Sequence, residues 1–457
     1  MTGGKTDMAW YEEAVFYHMY PLGMTGSPYE NKEEGVVHRM EELKLWIPHL
    51  VDLNFNAIYI GPLFESTTHG YDTKDYRLVD RRLGDNKDFK EFVELCHKEG
   101  IHVVVDGVFN HTGREFFAFQ DLKEKREGSR YKDWYKGVNF WGNTRYNDGF
   151  GYEAWRNCFE LVNLNLRNPE VKNYLFETID FWIDEFDIDG IRLDCADCLD
   201  FDFMKEMRWR TGQKKADFWL MGEVIHGDYS RWVNDEMLHS VTNYELHKGL
   251  YSGHNDQNYF EIAHTIRRLF DANGGLCRGR RLYSFVDNHD VERIASKLKQ
   301  KEHLYPVLLL LYTLPGIPSI YYGSEWGIEG KKENGRDEPL RPYIDGKSIE
   351  SRQNKISDWV KLLGKLYQEN KEIPYGRYQE LMLKNRQYAF AKRLENSAVV
   401  VAVNNDEKEE EICIPGFMGA CKAVDLVTEE EISVEGNGMM KILVSGNRGR
   451  LIKVTAL

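Results

Sequence analysis

The sequence predicts an α/β protein: a (β/α)8 TIM barrel with an inserted domain after strand three and a C-terminal antiparallel β-domain. Three observations lead there. The chain has 457 residues, which suits a barrel of about 250 residues carrying additional modules. Short apolar runs alternate with helix-like stretches, the signature of a parallel sheet covered by helices. Beyond Ile373 to Gly376 the pattern changes to alternating strands parted by Asn, Gly and Glu clusters.

The elements follow in order. Val15–Tyr17, Ala57–Ile60 and Ile101–Val105 read as strands one to three. Between the last two, Asp88 to Lys98 sets Phe89, Phe92, Val93 and Cys96 at helical spacing, which predicts a helix packed outside the strands. Ile188–Arg192, Phe218–Met221, Ser240–Thr242, Leu282–Val286 and Ile317–Tyr321 supply strands four to eight. Thr112 to about Asn168 is rich in Trp, Tyr, Phe, Gly and Asn, and it is longer than a plain crossover needs. We therefore expect a barrel over 1–111 and 169–374, an inserted domain over 112–168 and a β-sandwich over 375–457. Strands of the sandwich are expected at Tyr388–Ala391, Ala398–Ala402, Glu411–Ile414 and Leu451–Val454.

Composition narrows the partners. A net charge of −14 without a long Lys/Arg block argues against nucleic acid or an anionic membrane and favours a neutral, small substrate. Aromatic residues make up 13% of the chain, enough to supply stacking platforms even if most rings are core. The start, Met1 to Trp10, has no apolar leader core, and no run of 18 apolar residues occurs, so a cytoplasmic location is expected. Seven scattered cysteines form no disulfide framework, and the Cys195/Cys198 pair reads as local packing.

Four strand-end segments carry the chemistry: Asp106 to His111, Gly190 to Asp194, Met221 to Val224 and Phe285 to Asp290. A barrel gathers such ends around one pocket. Taken singly, a strand-end Asp usually caps a helix and a Glu usually lies on the surface. The combination of Asp194, Glu223 and Asp290 with Arg192 and His289 is harder to explain by capping. Alternation puts Arg192 on the same face as Asp194, where it can hold that carboxylate ionised. Asp194 then suits a nucleophile. Glu223, with apolar neighbours and no cation beside it in sequence, suits a proton donor. Asp290 can grip sugar hydroxyls, with His111 and His289 as hydroxyl donors or, on the plainer reading, satisfied core histidines.

The set D-x-x-x-N-H, G-x-R-x-D, G-E and N-H-D, in this order and on these strands, resembles the four catalytic regions of the α-amylase superfamily, glycoside hydrolase family thirteen. The resemblance implies a retaining enzyme of α-glucan oligosaccharides, with Asp194 as nucleophile, Glu223 as general acid/base and Asp290 as transition-state stabiliser. Arg192, His111 and His289 would complete the shell around the sugar. His69 to Tyr76, Phe116 to Asp121 and Ser129 to Trp134 resemble the cyclomaltodextrinase, neopullulanase and maltogenic amylase branch. There Tyr71 would stack on the sugar beside His69, and Asp337 and Arg341 would clamp the glycone side. A surface salt bridge involving Arg336 is the competing reading of that pair.

Departures from the branch shape the expectations. Its N-terminal β-domain is expected to be missing, since strand one begins near residue 15. Family-type dimerisation is then not implied, and a monomer or weak homo-oligomer is expected. Asp197, Cys198 and Ile225 replace residues that set acceptor-side specificity in the branch. In many α-amylases the residue at Asn110 helps ligate calcium together with the residue at the Cys198 position. Sulfur is a poor ligand for that hard cation, so no cofactor is expected to be required and calcium stays optional, with Asn110 bonding within the barrel rim instead. The implied reaction is hydrolysis of α-1,4 bonds, with α-1,6 as an extension; glucosyl transfer by the same residues is the alternative.

Overall fold

A computed structural model describes residues 9–32, 34–417 and 421–456, so positions 1–8, on which the expectation about a leader rests, lie outside the described residues. Eight parallel strands form one sheet: β1 (Phe16–Met19), β2 (Ala57–Ile60), β3 (His102–Gly107), β4 (Gly190–Leu193), β5 (Trp219–Gly222), β6 (Ser240–Val241), β7 (Tyr283–Phe285) and β8 (Ile317–Tyr321). They pair in the order β6-β5-β4-β3-β2-β1-β8-β7. A parallel bridge from Thr242 to Tyr283 joins the two ends, with the Asn243 N–H donating to the Tyr283 carbonyl at 2.8 Å. The sheet is thus a closed barrel, as the alternating pattern predicts.

Side-chain alternation sorts the strands into two cores. Phe16, Tyr59, Val104, Trp219, Met221 and Phe285 fill the barrel interior. Their neighbours Tyr17, Ile58, Ile60, Val103 and Val105 point outward to the helices. The interior is a packed plug, so a pocket can form only above it, at the C-terminal ends of the strands. Between β2 and β3 the predicted helix runs from Asn86 to Lys98 and buries Phe89, Phe92, Val93 and Cys96. It begins at a capping box: the Asp88 N–H donates to Asp85 Oδ1 at 3.0 Å, and the Asp85 N–H donates to Asp88 Oδ2 at 2.9 Å.

Two antiparallel pairs that periodicity did not reveal build the rim. Phe64–Ser66 pairs with Thr73–Val79, and the turn between them carries His69 and Tyr71. Asp72 closes this turn by accepting from the Thr68 N–H at 3.1 Å and the Thr68 hydroxyl at 2.7 Å. Gly70 sits at φ +97°, where a Cβ would meet Pro62 Cγ at 2.1 Å. The second pair, His111–Gly113 with Leu161–Asn163, brackets the aromatic-rich segment and sets His111 opposite Asn163. Within it a helix spans Phe117–Lys125. Phe119, Trp134, Tyr135, Phe150 and Tyr152 are its buried core, which accounts for the local wealth of rings.

The C-terminal region is antiparallel. β9 (Arg377–Leu383), β10 (Gln387–Arg393), β11 (Ser397–Asn404), β13 (Cys421–Asp425), β15 (Arg448–Ala456) and the short strand Glu431–Ile432 form one sheet, and β12 (Glu410–Ile414) pairs with β14 (Met440–Val444) in a second. The expected strands fall inside β10, β11, β12 and β15; β9, β13 and β14 were missed. β9 carries Arg, Gln and Glu, and β14 has a Lys and follows Gly438, so their strand pattern is diluted. The large sheet has two apolar faces. Ala398, Val400 and Ala402 of β11 pack with Ile412, Ile414 and Ile442 between the sheets. Val399, Val401 and Val403 belong instead to the core shared with the barrel. The barrel helix Leu304–Thr313, buried at every residue but Tyr305, lies against this face, so closely that a Cβ on Gly449 would meet Leu309 Cδ2 at 2.3 Å.

Candidate active site

The barrel delivers Asp194 and Glu223 directly after β4 and β5. Asp290 lies farther on, in the loop after β7, which ends at Phe285, and not at the strand end that the sequence predicts. Side-chain hydrogen bonds hold that loop. Asn288 Oδ1 accepts from the N–H groups of Asp290 at 2.9 Å and Val291 at 3.1 Å, and Asp287 Oδ2 accepts from the Ile294 N–H at 2.7 Å.

Arg192 organises the carboxyl groups. Registration of β3 with β4 sets Asp106 beside Arg192. Nη1 donates to Asp106 Oδ1 at 2.9 Å and to Asp194 Oδ1 at 2.9 Å, while Nη2 lies 2.9 Å from Glu223 Oε2. The pairing with Asp194 was expected. The pairing with Glu223 was not, because strand-to-strand neighbours are invisible in a sequence window. Burial pushes the Glu223 carboxyl up to about 7; Arg192 opposes this, and Asp194 and Asp290 reinforce it. Burial also raises the Asp106 carboxyl, against the pull of Arg192. For Asp290 burial is outweighed by His289, Arg341 and Arg192, which hold its carboxyl well below the usual range. His289 Nε2 lies 3.1 Å from Asp290 Oδ2.

Asp106 has a larger part than the sequence reading gave it. It also accepts from the Tyr59 hydroxyl at 2.8 Å and the Tyr71 hydroxyl at 3.0 Å. Tyr71 is further tied to His289 Nε2 at 2.5 Å, and its ring lies nearly parallel to the imidazole, 12° apart. His69 fixes the same loop, with Nδ1 accepting from the Tyr71 N–H at 3.2 Å and its carbonyl accepting from the Tyr20 hydroxyl at 2.6 Å. His111 is buried, and burial pushes its imidazole down to about 3, so it is neutral at ordinary pH. Asn110 donates to His111 Nδ1 at 3.2 Å and to Asn163 Oδ1 at 3.3 Å, the rim role expected of it. His111 Nε2 has no partner.

Arg341 and Asp337 belong to the same site. Arg341 Nη2 donates to Asp290 Oδ1 at 2.9 Å and Asp337 Oδ2 at 3.2 Å, and its Nε donates to the His289 carbonyl at 3.0 Å. Lys332, and not Arg336, is the other cation at Asp337, 2.8 Å away. Above all these groups opens a cavity of about 910 Å³. Asp194, Glu223, Asp290, Tyr71, His69, His111, Asp337 and Arg341 line it, and Arg192 and His289 hold the lining groups from behind.

Several further lining residues escaped the sequence reading. Trp155, Tyr244 and Tyr251 present rings to the cavity, and the Tyr244 hydroxyl lies 3.4 Å from Glu223 Oε1. Ile225, singled out as a departure, lines it as well. Cys195 is more than packing. It adopts a left-handed backbone conformation, φ 36° and ψ 54°, which a side chain rarely takes and which clusters at functional sites. Its N–H then donates to Glu223 Oε2 at 3.1 Å and its thiol to Asp194 Oδ2 at 2.9 Å. Cys198 is exposed, so the two cysteines do not act alike. The site thus offers one carboxyl group that favours its proton, another held by a guanidinium, and donors around a hydroxyl-sized space, a set able to break a glycosidic bond.

Comparisons with known proteins agree with this geometry. A family model described as the α-amylase catalytic domain matches residues 44–361. A cyclomaltodextrinase of Thermoanaerobacter pseudethanolicus is 32% identical over 417 residues, covering 88% of this chain and 68% of that one. Neopullulanase 2 of Thermoactinomyces vulgaris is 29% identical over 478 residues, covering 98% of this chain and 78% of that one. Among solved structures, a cyclomaltodextrinase matches with a TM-score of 0.83 at 26% identity, over 98% of this chain and 78% of that one.

Proposed function

Because the chain belongs to the α-amylase family of glycoside hydrolases, we propose that it cleaves α-1,4-glucosidic bonds of maltooligosaccharides and cyclodextrins with retention of configuration, extending to α-1,6 bonds. The observation that carries this reading is the Arg192 guanidinium spanning Asp194 and Glu223. It keeps both carboxyl groups on one cation, which favours the short spacing of retaining enzymes, about 5–5.5 Å, over the wider spacing of inverting ones.

Asp194 attacks the anomeric carbon while Glu223 gives its proton to the departing oxygen, leaving a glucosyl ester on Asp194. Glu223, now a carboxylate, takes a proton from water as that water attacks the ester and frees Asp194. Asp290 accepts from ring hydroxyls and opposes the positive charge of the oxocarbenium-like transition state. Tyr71 supplies a flat wall beside the sugar, His69 and His111 supply polar contacts, His289 orients Tyr71 and Asp290 from behind, and Asp337 with Arg341 closes the glycone side.

These groups complete the reaction without a metal ion, and calcium is optional in this reading. The site acts on a soluble glycan. Among the described residues no helix is long and apolar enough to cross a membrane, and a cytoplasmic monomer or weak homo-oligomer is part of the proposal. Incubation with maltotriose, maltoheptaose, β-cyclodextrin and pullulan, followed by NMR of the first products, tests it. An initial α-anomer supports the reading. No turnover of any α-glucan, or an initial β-anomer, would overturn it, and a predominance of longer products would replace hydrolysis by transfer.

A further inference from the structure

Cys195 has a side chain that the hydrolytic steps do not use, yet its thiol sits 2.9 Å from the nucleophile's Oδ2. His111 stands on the other side of the same space. One donor atom each from His111, Asp194 and Cys195 lies within 4.8 Å of the others. All three residues are buried, at 1%, 8% and 4% exposure, and His111 Nε2 has no hydrogen-bond partner. From this arrangement we propose that His111, Asp194 and Cys195 form a binding site for a thiophilic divalent cation such as Zn²⁺, and that its occupation switches the enzyme off.

The donor set selects the ion. Sulfur, imidazole nitrogen and one carboxylate oxygen suit Zn²⁺ or Cd²⁺ and disfavour Ca²⁺ and Mg²⁺, which prefer oxygen. Tetrahedral zinc with its usual bond lengths needs donor-to-donor edges of about 3.4–3.6 Å. Side-chain rotation must bring the present spacing, 2.9 Å between thiol and Asp194 and within 4.8 Å across the set, to those edges; all three residues line the cavity, so a water from it can complete the shell. The left-handed turn at Cys195 helps, because it fixes the thiol beside Asp194 before any ion arrives.

The proton balance is simple. The Cys195 thiol releases one proton to solvent as the metal–sulfur bond forms. His111 binds through Nε2 and carries its proton on Nδ1, where Asn110, with its carboxamide turned over and its bond to Asn163 Oδ1 given up, offers an oxygen. Asp194 binds as the carboxylate. Its oxygen is then committed to the metal and cannot attack a sugar, so the ion competes with substrate.

Cadmium and zinc titrations test the proposal on the whole chain, free of chelator. Cd²⁺ should produce an ultraviolet thiolate-to-metal absorption at about one equivalent, and Zn²⁺ should displace it. Zn²⁺ should inhibit competitively against maltotriose, and Cys195→Ala, compared with its own metal-free rate, should weaken that inhibition about 100-fold. His38→Asn is the control, since His38 lies with Asp85 and Asp88 at a separate, more exposed cluster; its inhibition should match the parent's. The binding measurement needs no turnover, so it stands apart from the hydrolase assignment. Absence of the cadmium band on the parent, or a Cys195→Ala protein that binds Zn²⁺ as tightly as the parent, would overturn the site. If Cys195→Ala does not fold, Cys195→Ser serves in its place, judged by the same loss of the band.

Discussion

Arg192 Nη2 stands 2.9 Å from Glu223 Oε2, and this one guanidinium also faces Asp106 and Asp194. One cation therefore serves three carboxyl groups at low exposure. Keeping all three charged there is costly, so a proton on one of them is favoured. Glu223, pushed up to about 7 by burial, is the group that holds it.

The rate should report that proton. Glu223 is protonated below about 7 and loses its proton above, so kcat/KM should fall on the alkaline side with an apparent pKa near 7. Arg192 opposes the rise, so Arg192→Met should move this limb to higher pH while lowering the maximum. Initial rates on maltotriose across acid to alkaline buffers check both. A profile that stays flat through neutrality would remove Glu223 as the proton donor.

Leaving-group chemistry separates the two carboxyl roles. Glu223→Gln should lower kcat/KM about 10²–10⁴-fold on maltooligosaccharides, yet far less on α-glucosyl fluoride, because kcat/KM reports formation of the glucosyl ester and fluoride departs without a proton. Asp194→Asn should lose about 10³-fold or more on both, since no ester can form. Circular dichroism of each variant establishes that it is folded. Equal losses on both substrates for Glu223→Gln would break the division of labour.

Tyr71→Phe keeps the ring and removes only the hydroxyl that joins Asp106 to His289. A hydrogen bond to a charged group is worth about 1.5–3 kcal/mol, so kcat/KM should drop roughly 10- to 150-fold. The loss should fall mainly on kcat, because the stacking surface remains. Parent-like kinetics would mean that the bridge does not support the site.

Lys392, on β10, gives a prediction about stability. It is 4% exposed, and burial, with Arg281 nearby, lowers its ammonium from the ordinary 10.5 to about 7. The folded state thus binds fewer protons than the unfolded chain between about 7 and 10.5, so stability rises with pH across that window. Below it the full cost of burying the charge is present. Lys392→Met should raise the melting temperature, and more at slightly acidic pH than at alkaline pH. Calorimetry at the two pH values decides; an equal shift at both would show that the ammonium is not the source.

What the sequence made legible follows from where each signal lies. The helix at Asn86–Lys98 was readable because four buried residues repeat with its own period, and the barrel strands because each is a short apolar run. The acids were readable as strand-end motifs. Their cross-links were not: Asp106 meets Arg192 through strand registration, and Tyr71 meets His289 across 218 positions. Loop shape was equally hidden, since the place of Asp290 depends on the Asn288 turn. Cys195 gave no warning either, because nothing in its neighbours predicts a left-handed backbone.

The two-faced strand β11 bears on how the molecule comes apart. Val399, Val401 and Val403 are shared with the barrel's core, while Ala398, Val400 and Ala402 serve the sandwich. One wall thus stands in two rooms. Heating cannot strip the C-terminal sheets away and leave the barrel intact, because the helix Leu304–Thr313 would be laid bare along an apolar flank. The shared core should make the barrel and the C-terminal sheets melt as one cooperative unit.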